Sequence, residues 1–105
     1  MAESESKQEI AAQVAKTYLE ITMEEGRVQR ALGDAAHNWV QRGEQAFTLG
    51  MVRVLSDELR DVRRYVQSMQ ELVDAMDDDT VGVKAFTRRA DVLKKQFKEY
   101  IEGVR

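Results

Sequence analysis

The stretch LSDELRDVRRYVQSMQELVDAM, residues 55–76, decides the fold. Its apolar residues recur alternately four and three positions apart, at Leu55, Leu59, Val62, Val66, Met69, Val73 and Met76. That spacing places them on one side of an α-helix, whereas a half-buried β-strand would alternate at every second residue. The positions between them are mostly charged. The stretch therefore predicts a helix with one face in a core and the other in water.

The same spacing continues in the segments on both sides of this stretch. Before it, the apolar positions are Ile10, Val14, Tyr18, Ile21, Val28, Leu32, Ala35 and Trp39; after it, they are Val83, Phe86, Ala90, Leu93, Phe97, Ile101 and Val104. The pattern predicts three helices, over residues 5–41, 45–76 and 81–103.

Breaks in the pattern locate the connections between these helices. Gly43 and Gly50 indicate a first turn. The acidic run at residues 77–79, followed by Thr80, offers side chains that can cap the start of the third helix. Gly26 and Gly33 lie inside the long first helix, where they are candidate kinks.

The predicted fold is an all-α, antiparallel three-helix bundle of coiled-coil type, made of a helical hairpin and a third helix. Short connections favour antiparallel neighbours. A chain of 105 residues is expected to form one domain over residues 1–105. Its first residues, 1–6, are polar and acidic, and we expect them to be disordered.

The composition limits the chemistry that the chain can perform and bears on the cellular compartment in which it is expected. The chain has no cysteine, which excludes disulfides, thiolate metal sites and a cysteine nucleophile. No secretory signal is visible at the N-terminus, and no apolar run is long enough to span a bilayer. We therefore expect no transmembrane segment and a cytoplasmic location.

The residues that catalysis or metal binding requires are sparse. His37 is the single histidine, and it forms only one Asp-x-x-His pair, with Asp34; zinc and di-metal sites need more ligands. The segment 77–82 resembles the opening of a calcium loop, but Arg88 occupies the position of the essential bidentate glutamate. No glycine-rich phosphate loop occurs. We predict that the chain is not an enzyme and holds no cofactor or metal.

The first helix carries a second apolar stripe, about 120–180° from the main one on a helical wheel. A helix that is apolar on two sides should be covered on both, either by its own neighbours or by another chain. Trp39 lies at the end of this helix, where a tryptophan serves as a core plug or as an interface anchor. The predicted partner-binding residues are Ala12, Ala15, Leu19, Met23 and Trp39.

Two carboxylates interrupt the apolar seams, Glu25 on the first helix and Glu58 on the second. An unpaired carboxylate is costly to bury, so each should pair with a base, turn outward or mark an opening in the bundle. The predicted mates are Arg27, Arg30, Arg53 and Arg88.

These features predict a non-catalytic protein–protein interaction module, such as an adaptor, a chaperone-like protein or an inhibitor. It would bind a protein partner through the apolar surface of the first helix and form a homo-oligomer. The alternative is a binder of an acidic surface, nucleic acid or anionic membrane, through Lys84, Arg88, Lys95 and Lys98 of the third helix. The net charge of −3, with no aromatic residues among those bases, disfavours nucleic acid.

Trp39 and Gly43 resemble the Trp-x-Gly turn of a family of small secreted helical-hairpin proteins. That resemblance implies the hairpin already predicted from periodicity. Three residues separate the tryptophan from the glycine here, and a third helical segment follows. We therefore do not assign the chain to that family.

Overall fold

A computed structural model describes the backbone of residues 3–42 and 46–104, and the side chains of residues 6–41 and 49–104. It contains three α-helices: α1 (Glu3–Arg42), α2 (Ala46–Ala75) and α3 (Val83–Val104). Every pair of helices is in contact, so the predicted all-α three-helix bundle is confirmed. The helix ends differ from the predicted ones by at most two residues.

The expected breaks are placed differently by the structure. Gly43 lies outside the described residues, and Gly50 lies inside α2 rather than in a turn. The long first helix is continuous through Gly26 and Gly33, and a Cβ atom added at either glycine would meet no atom within 4 Å. Residues 3–6, part of the segment expected to be disordered, are helical.

The core is formed by one apolar face of each helix. Phe86 of α3 and Val62 of α2 are completely buried, and Ile21 of α1 is 1% exposed. The rings of Tyr65 and Phe97 pack edge to face, with their centroids 5.5 Å apart. Burying a side chain as large as that of Phe86 or Phe97 stabilises the fold by about 1.5–3 kcal/mol. The apolar faces that meet in this core therefore hold the three helices together.

Lys7 joins the start of α1 to the end of α2. Its side chain is 2% exposed. Its Nζ donates hydrogen bonds to the carbonyl oxygens of Ala75, at 3.1 Å, and Asp78, at 2.9 Å. The last carbonyls of a helix have no partner within the helix, and a cation there also favours the negative end of the helix dipole. This contact supports the first turns of α1 against the rest of the bundle.

The connection between α2 and α3 is stabilised by Asp78. One of its carboxylate oxygens accepts hydrogen bonds from the backbone N–H and the hydroxyl of Thr80, at 2.9 and 2.6 Å. These bonds hold the pKa of Asp78 below its usual value. The predicted N-cap role was wrong, because Asp78 caps this turn and α3 begins only at Val83.

The third helix covers only part of the hairpin. A helix of 22 residues spans about 33 Å, whereas the bundle is 62 Å long. Since α3 starts at the same end of the bundle as Lys7, it stops well before α1 does. The contiguous core accordingly reaches no further than Leu32 on α1 and Leu59 on α2. We call residues 33–41 and 49–57, beyond that core, the hairpin end.

Candidate helix-binding groove

An apolar groove of about 370 Å³ lies between α1 and α2, and none of the residues that line it belongs to α3. Its lining consists of Ala11, Ala15, Tyr18, Leu19, Thr22, Met69 and Val73. The Thr22 hydroxyl donates to the carbonyl oxygen of Tyr18, at 3.0 Å, so its hydrogen bond is made within the helix. The groove therefore offers mainly van der Waals contact and little polar recognition.

Three large side chains of the groove are partly exposed to solvent: Tyr18 at 41%, Leu19 at 59% and Val73 at 46%. The contact between two antiparallel helices has a groove on each side, and α3 fills only one of them. The other groove remains open, so Val73 is exposed even though it continues the apolar seam of Met69, which is 4% exposed.

The structure separates the five residues predicted to bind a partner. Ala15 and Leu19 line the groove together. Ala12 is exposed but is not part of the lining. Met23, 63% exposed, borders a different depression on the α3 side of α1, beside Ile101. The second stripe of the first helix is thus divided between two surfaces.

Trp39 lies far from the groove. Twenty residues separate it from Leu19, about 30 Å along the helix. Its side chain is half-buried. It belongs to the hairpin end and not to the groove.

Sequence reasoning missed Tyr18, Met69 and Val73 as groove residues, because their spacing assigned them to the core. Tyr18 lies at the margin of the apolar stripe of α1, about 60° from Ile21 on a helical wheel. A marginal position of this kind is the signal that could have identified it. Which edge of the apolar stripe stays exposed to solvent depends on where α3 packs. A helical wheel does not show the position of α3.

The deepest charge in the described part of α1 other than Lys7 is Glu24, which is 4% exposed. Arg27 donates to the same carboxylate oxygen of Glu24 from Nε, at 3.1 Å, and from Nη2, at 2.5 Å. This hydrogen bonding raises the pKa of Arg27. A second carboxylate, that of Glu58, lies 3.9 Å from the same guanidinium. Arg27 therefore bridges α1 and α2.

The carboxylates predicted at the seams are both paired. Glu58 pairs with Arg27, one of the predicted mates. Glu25 pairs with Arg63, at 3.5 Å, which was not among them. The prediction overlooked Glu24, although it is the most buried of the three carboxylates.

Tyr100 completes the polar cluster from α3. Its hydroxyl donates to the backbone carbonyl oxygen of Glu58, at 3.3 Å. Burial, reinforced by the nearby charges of Glu58 and Glu24, raises the pKa of Tyr100 to about 12. The cluster ties all three helices together near the end of α3, and such charged positions are used to fix helix register.

The basic surface of α3 is exposed but mixed in charge. Lys84, Arg88, Lys95 and Lys98 are all exposed, as the amphipathic pattern predicted. Three acidic residues, Asp91, Glu99 and Glu102, are also exposed and lie on the same outward arc of the helix. The surface is therefore not a patch of one sign.

Candidate metal ligands are scattered. His37 is exposed. Within the described ranges, no three His, Cys, Asp or Glu side chains are grouped so that they could hold a metal ion.

No family model, no curated protein and no solved structure matches this chain. Of the helices that the structure describes, none combines the length and the apolar character needed to cross a bilayer.

Proposed function

We propose that this chain is a protein-interaction module that binds an amphipathic helix of a partner protein in the groove between α1 and α2. The observation that supports the proposal is the joint exposure of Tyr18, Leu19 and Val73 over an otherwise apolar surface. A helix laid into such a groove becomes the fourth helix of a bundle and buries residues spaced i, i+3, i+4 and i+7.

The net charge of the segment that contains α1 and α2 indicates which kind of partner helix suits the groove. Residues 1–79, which include α1 and α2, contain sixteen acids and nine bases, a net charge of −7. Residues 80–105 have a net charge of +4, and six of their seven bases lie on α3, which does not line the groove. A partner helix with lysine and arginine on its polar face therefore suits this groove better than an acidic one.

The proposal describes a non-catalytic adaptor-like protein without cofactor or metal. It includes a cytoplasmic location, for which the absence of cysteine is the support. It also includes a homo-oligomer. Binding of acidic surfaces through α3 is less favoured, because Asp91, Glu99 and Glu102 share the face of its bases.

The test is an NMR titration with two synthetic amphipathic peptides that share a leucine face. One carries lysines on its polar face and the other glutamates. The lysine peptide should shift the backbone amides of Ala15, Leu19 and Val73, and the glutamate peptide should bind more weakly.

Two exposed valines provide a matched pair of variants. Val73, 46% exposed, lies in the groove, whereas Val92, 47% exposed, lies on α3. Val73→Glu should weaken binding of the lysine peptide at least about tenfold, because the new carboxylate would be desolvated, while Val92→Glu should leave it unchanged. Equal effects of the two variants, or shifts confined to α3, would contradict the proposal.

A further inference from the structure

Trp39 lies on the core-facing side of α1 but is not covered like a core residue. It follows Ile21 by eighteen residues, five full helical turns, so both side chains leave the helix in the same direction. Ile21 is 1% exposed, whereas Trp39 is only half-buried. The difference arises because α3 ends before it reaches the level of Trp39.

The whole hairpin end has the composition of a buried surface. Of its eighteen residues, nine are apolar: Ala35, Ala36, Trp39, Val40, Leu49, Met51, Val52, Val54 and Leu55. Only Leu55 among them is buried. Three of the eighteen are charged, Asp34, Arg53 and Asp57, a much smaller share than the 33% of the whole chain.

The side of the hairpin that α3 covers continues as an apolar strip past the end of α3. On α2, Val54 lies five full turns before Leu72, which borders α3. On α1, Ala35 lies five turns after Thr17, which also borders α3. Val54 is 53% exposed, so the strip is open to solvent.

We propose that a second copy of this chain covers that strip. Two hairpin ends would overlap in antiparallel orientation around a two-fold axis, each packing on the side where the other chain's α3 stops. This inference rests on the proposed function for the homo-oligomer that it locates, but the hairpin end and the α1–α2 groove are different surfaces, so either can fail without the other.

Shape favours a second copy as the occupant. The bundle has α3 stacked on the hairpin along part of its length, and the hairpin alone beyond it. The step at the end of α3 is the stretch of hairpin that α3 does not cover, which is the hairpin end itself. In antiparallel orientation, the hairpin end of one copy therefore fills the step of the other along its whole length. The result is a four-helix bundle in the middle, with the two α3 helices on either side of it.

Charge and area are compatible with that assembly. The hairpin end carries two acids and one base among its described side chains, so two copies repel each other little. Each hairpin end is about 20 Å wide and about 15 Å long, a face of about 300 Å², so two copies together would bury roughly 600 Å², an area typical of weak contacts. A weak dimer, in equilibrium with monomer at micromolar concentrations, is expected.

The test combines sedimentation equilibrium with the fluorescence of Trp39, the single tryptophan. Across a micromolar concentration series, the mass should rise from 12.0 kDa towards twice that value. The Trp39 emission should shift to the blue along the same curve, as its ring loses contact with water. Val54→Glu should remain monomeric with unshifted emission, whereas Val92→Glu should dimerise like the wild type. Circular dichroism should show that both variants remain helical.

Three results would overturn the inference. The first is a wild-type chain that stays monomeric throughout the series. The second is a dimer that survives Val54→Glu but is broken by Val73→Glu, which would place the contact in the groove. The third is a dimer whose formation leaves the emission of Trp39 unchanged.

Discussion

Lys7 Nζ lies 2.9 Å from the carbonyl oxygen of Asp78 and so joins the first helix to the turn before the third. This contact aligns the start of α1 with the start of α3. Because α3 is the shorter helix, the alignment leaves the opposite end of the α1–α2 hairpin without a third layer. The position of the hairpin end therefore follows from a contact at the other end of the bundle.

Replacing Lys7 should destabilise the bundle. Lys7→Met keeps much of the apolar stem but removes the donor from two carbonyl oxygens, at a cost of about 1–3 kcal/mol. Denaturant unfolding followed by circular dichroism measures the change in free energy. The exposed Lys16 provides the control, and Lys16→Met should change the stability by less than about 0.5 kcal/mol. Equal effects of the two substitutions would show that the buried contact is not formed in solution.

The ion pairs of Arg27 and Arg60 should differ in their contribution to the free energy of unfolding. Arg27 binds Glu24, whose side chain is 3% exposed, whereas Arg60 and Asp57 are both about 70% exposed. Arg27→Gln should lower the free energy of unfolding by about 1–3 kcal/mol, because a buried carboxylate loses a charged partner. Arg60→Gln should cost less than about 0.5 kcal/mol. Urea unfolding of both variants tests this, and the reverse order would refute the assignment of the buried pair.

Alkaline pH should destabilise the folded protein through Tyr100. Its pKa is about 12 in the folded chain, compared with 10.0 for an unperturbed tyrosine. The folded state thus holds the phenolic proton more tightly, so the stabilisation is complete below pH 10 and is lost as the pH rises towards 12. Ultraviolet titration of tyrosinate should show late ionisation of Tyr100 and also of Tyr65, because burial raises the pKa of Tyr65 too. Tyr100→Phe should remove one tyrosine from the late-ionising fraction, and an unchanged late fraction in this variant would contradict the assignment.

Replacing Gly33 with alanine should stabilise the folded protein. It is exposed within a continuous helix, with no atom within 4 Å of an added Cβ. Gly33→Ala should raise the free energy of unfolding by about 0.5–1 kcal/mol, because alanine restricts the unfolded chain and favours the helix. Gly33→Pro should lower it by about 3 kcal/mol. Thermal unfolding of both variants tests this prediction. If Gly33→Pro leaves the stability unchanged, α1 is not continuous through residue 33.

The mixed charge of the α3 surface should prevent strong binding to polyanions. We expect little retention on heparin at physiological salt, since acids alternate with the bases on the same face. The double variant Asp91→Asn, Glu102→Gln removes two of these acids and should elute at higher salt. Strong retention of the wild type, falling steeply with salt, would instead favour a role in binding acidic surfaces.

The helices could be predicted from the sequence because their evidence is local. Apolar spacing gives the direction of each side chain, and the chain has no proline to interrupt a helix. The limits of α1, α2 and α3 were accordingly close to those observed. The predicted ranges also include a shorter third helix, but apolar spacing alone does not show that this leaves the hairpin end around Trp39 uncovered.

The buried charges could not be predicted in the same way. Glu24 and Glu25 are adjacent, about 100° apart around α1, and the choice of the deeper one depends on where α3 packs. Lys7 lies in a polar segment, and its burial depends on a loop 71 residues away. The groove has the same origin: spacing placed Val73 in a seam, but only the packed bundle shows that this side of the seam is open.

The most direct measurement of the central claim is the solvent accessibility of methyl groups, read from NMR relaxation by a soluble paramagnetic probe. In the free chain, the methyl groups of Leu19, Val73 and Val92 should all relax strongly. Addition of the lysine amphipathic peptide should protect Leu19 and Val73 and leave Val92 unchanged. If Leu19 and Val73 are already protected in the free monomer, their own chain covers them and the groove is not a binding site.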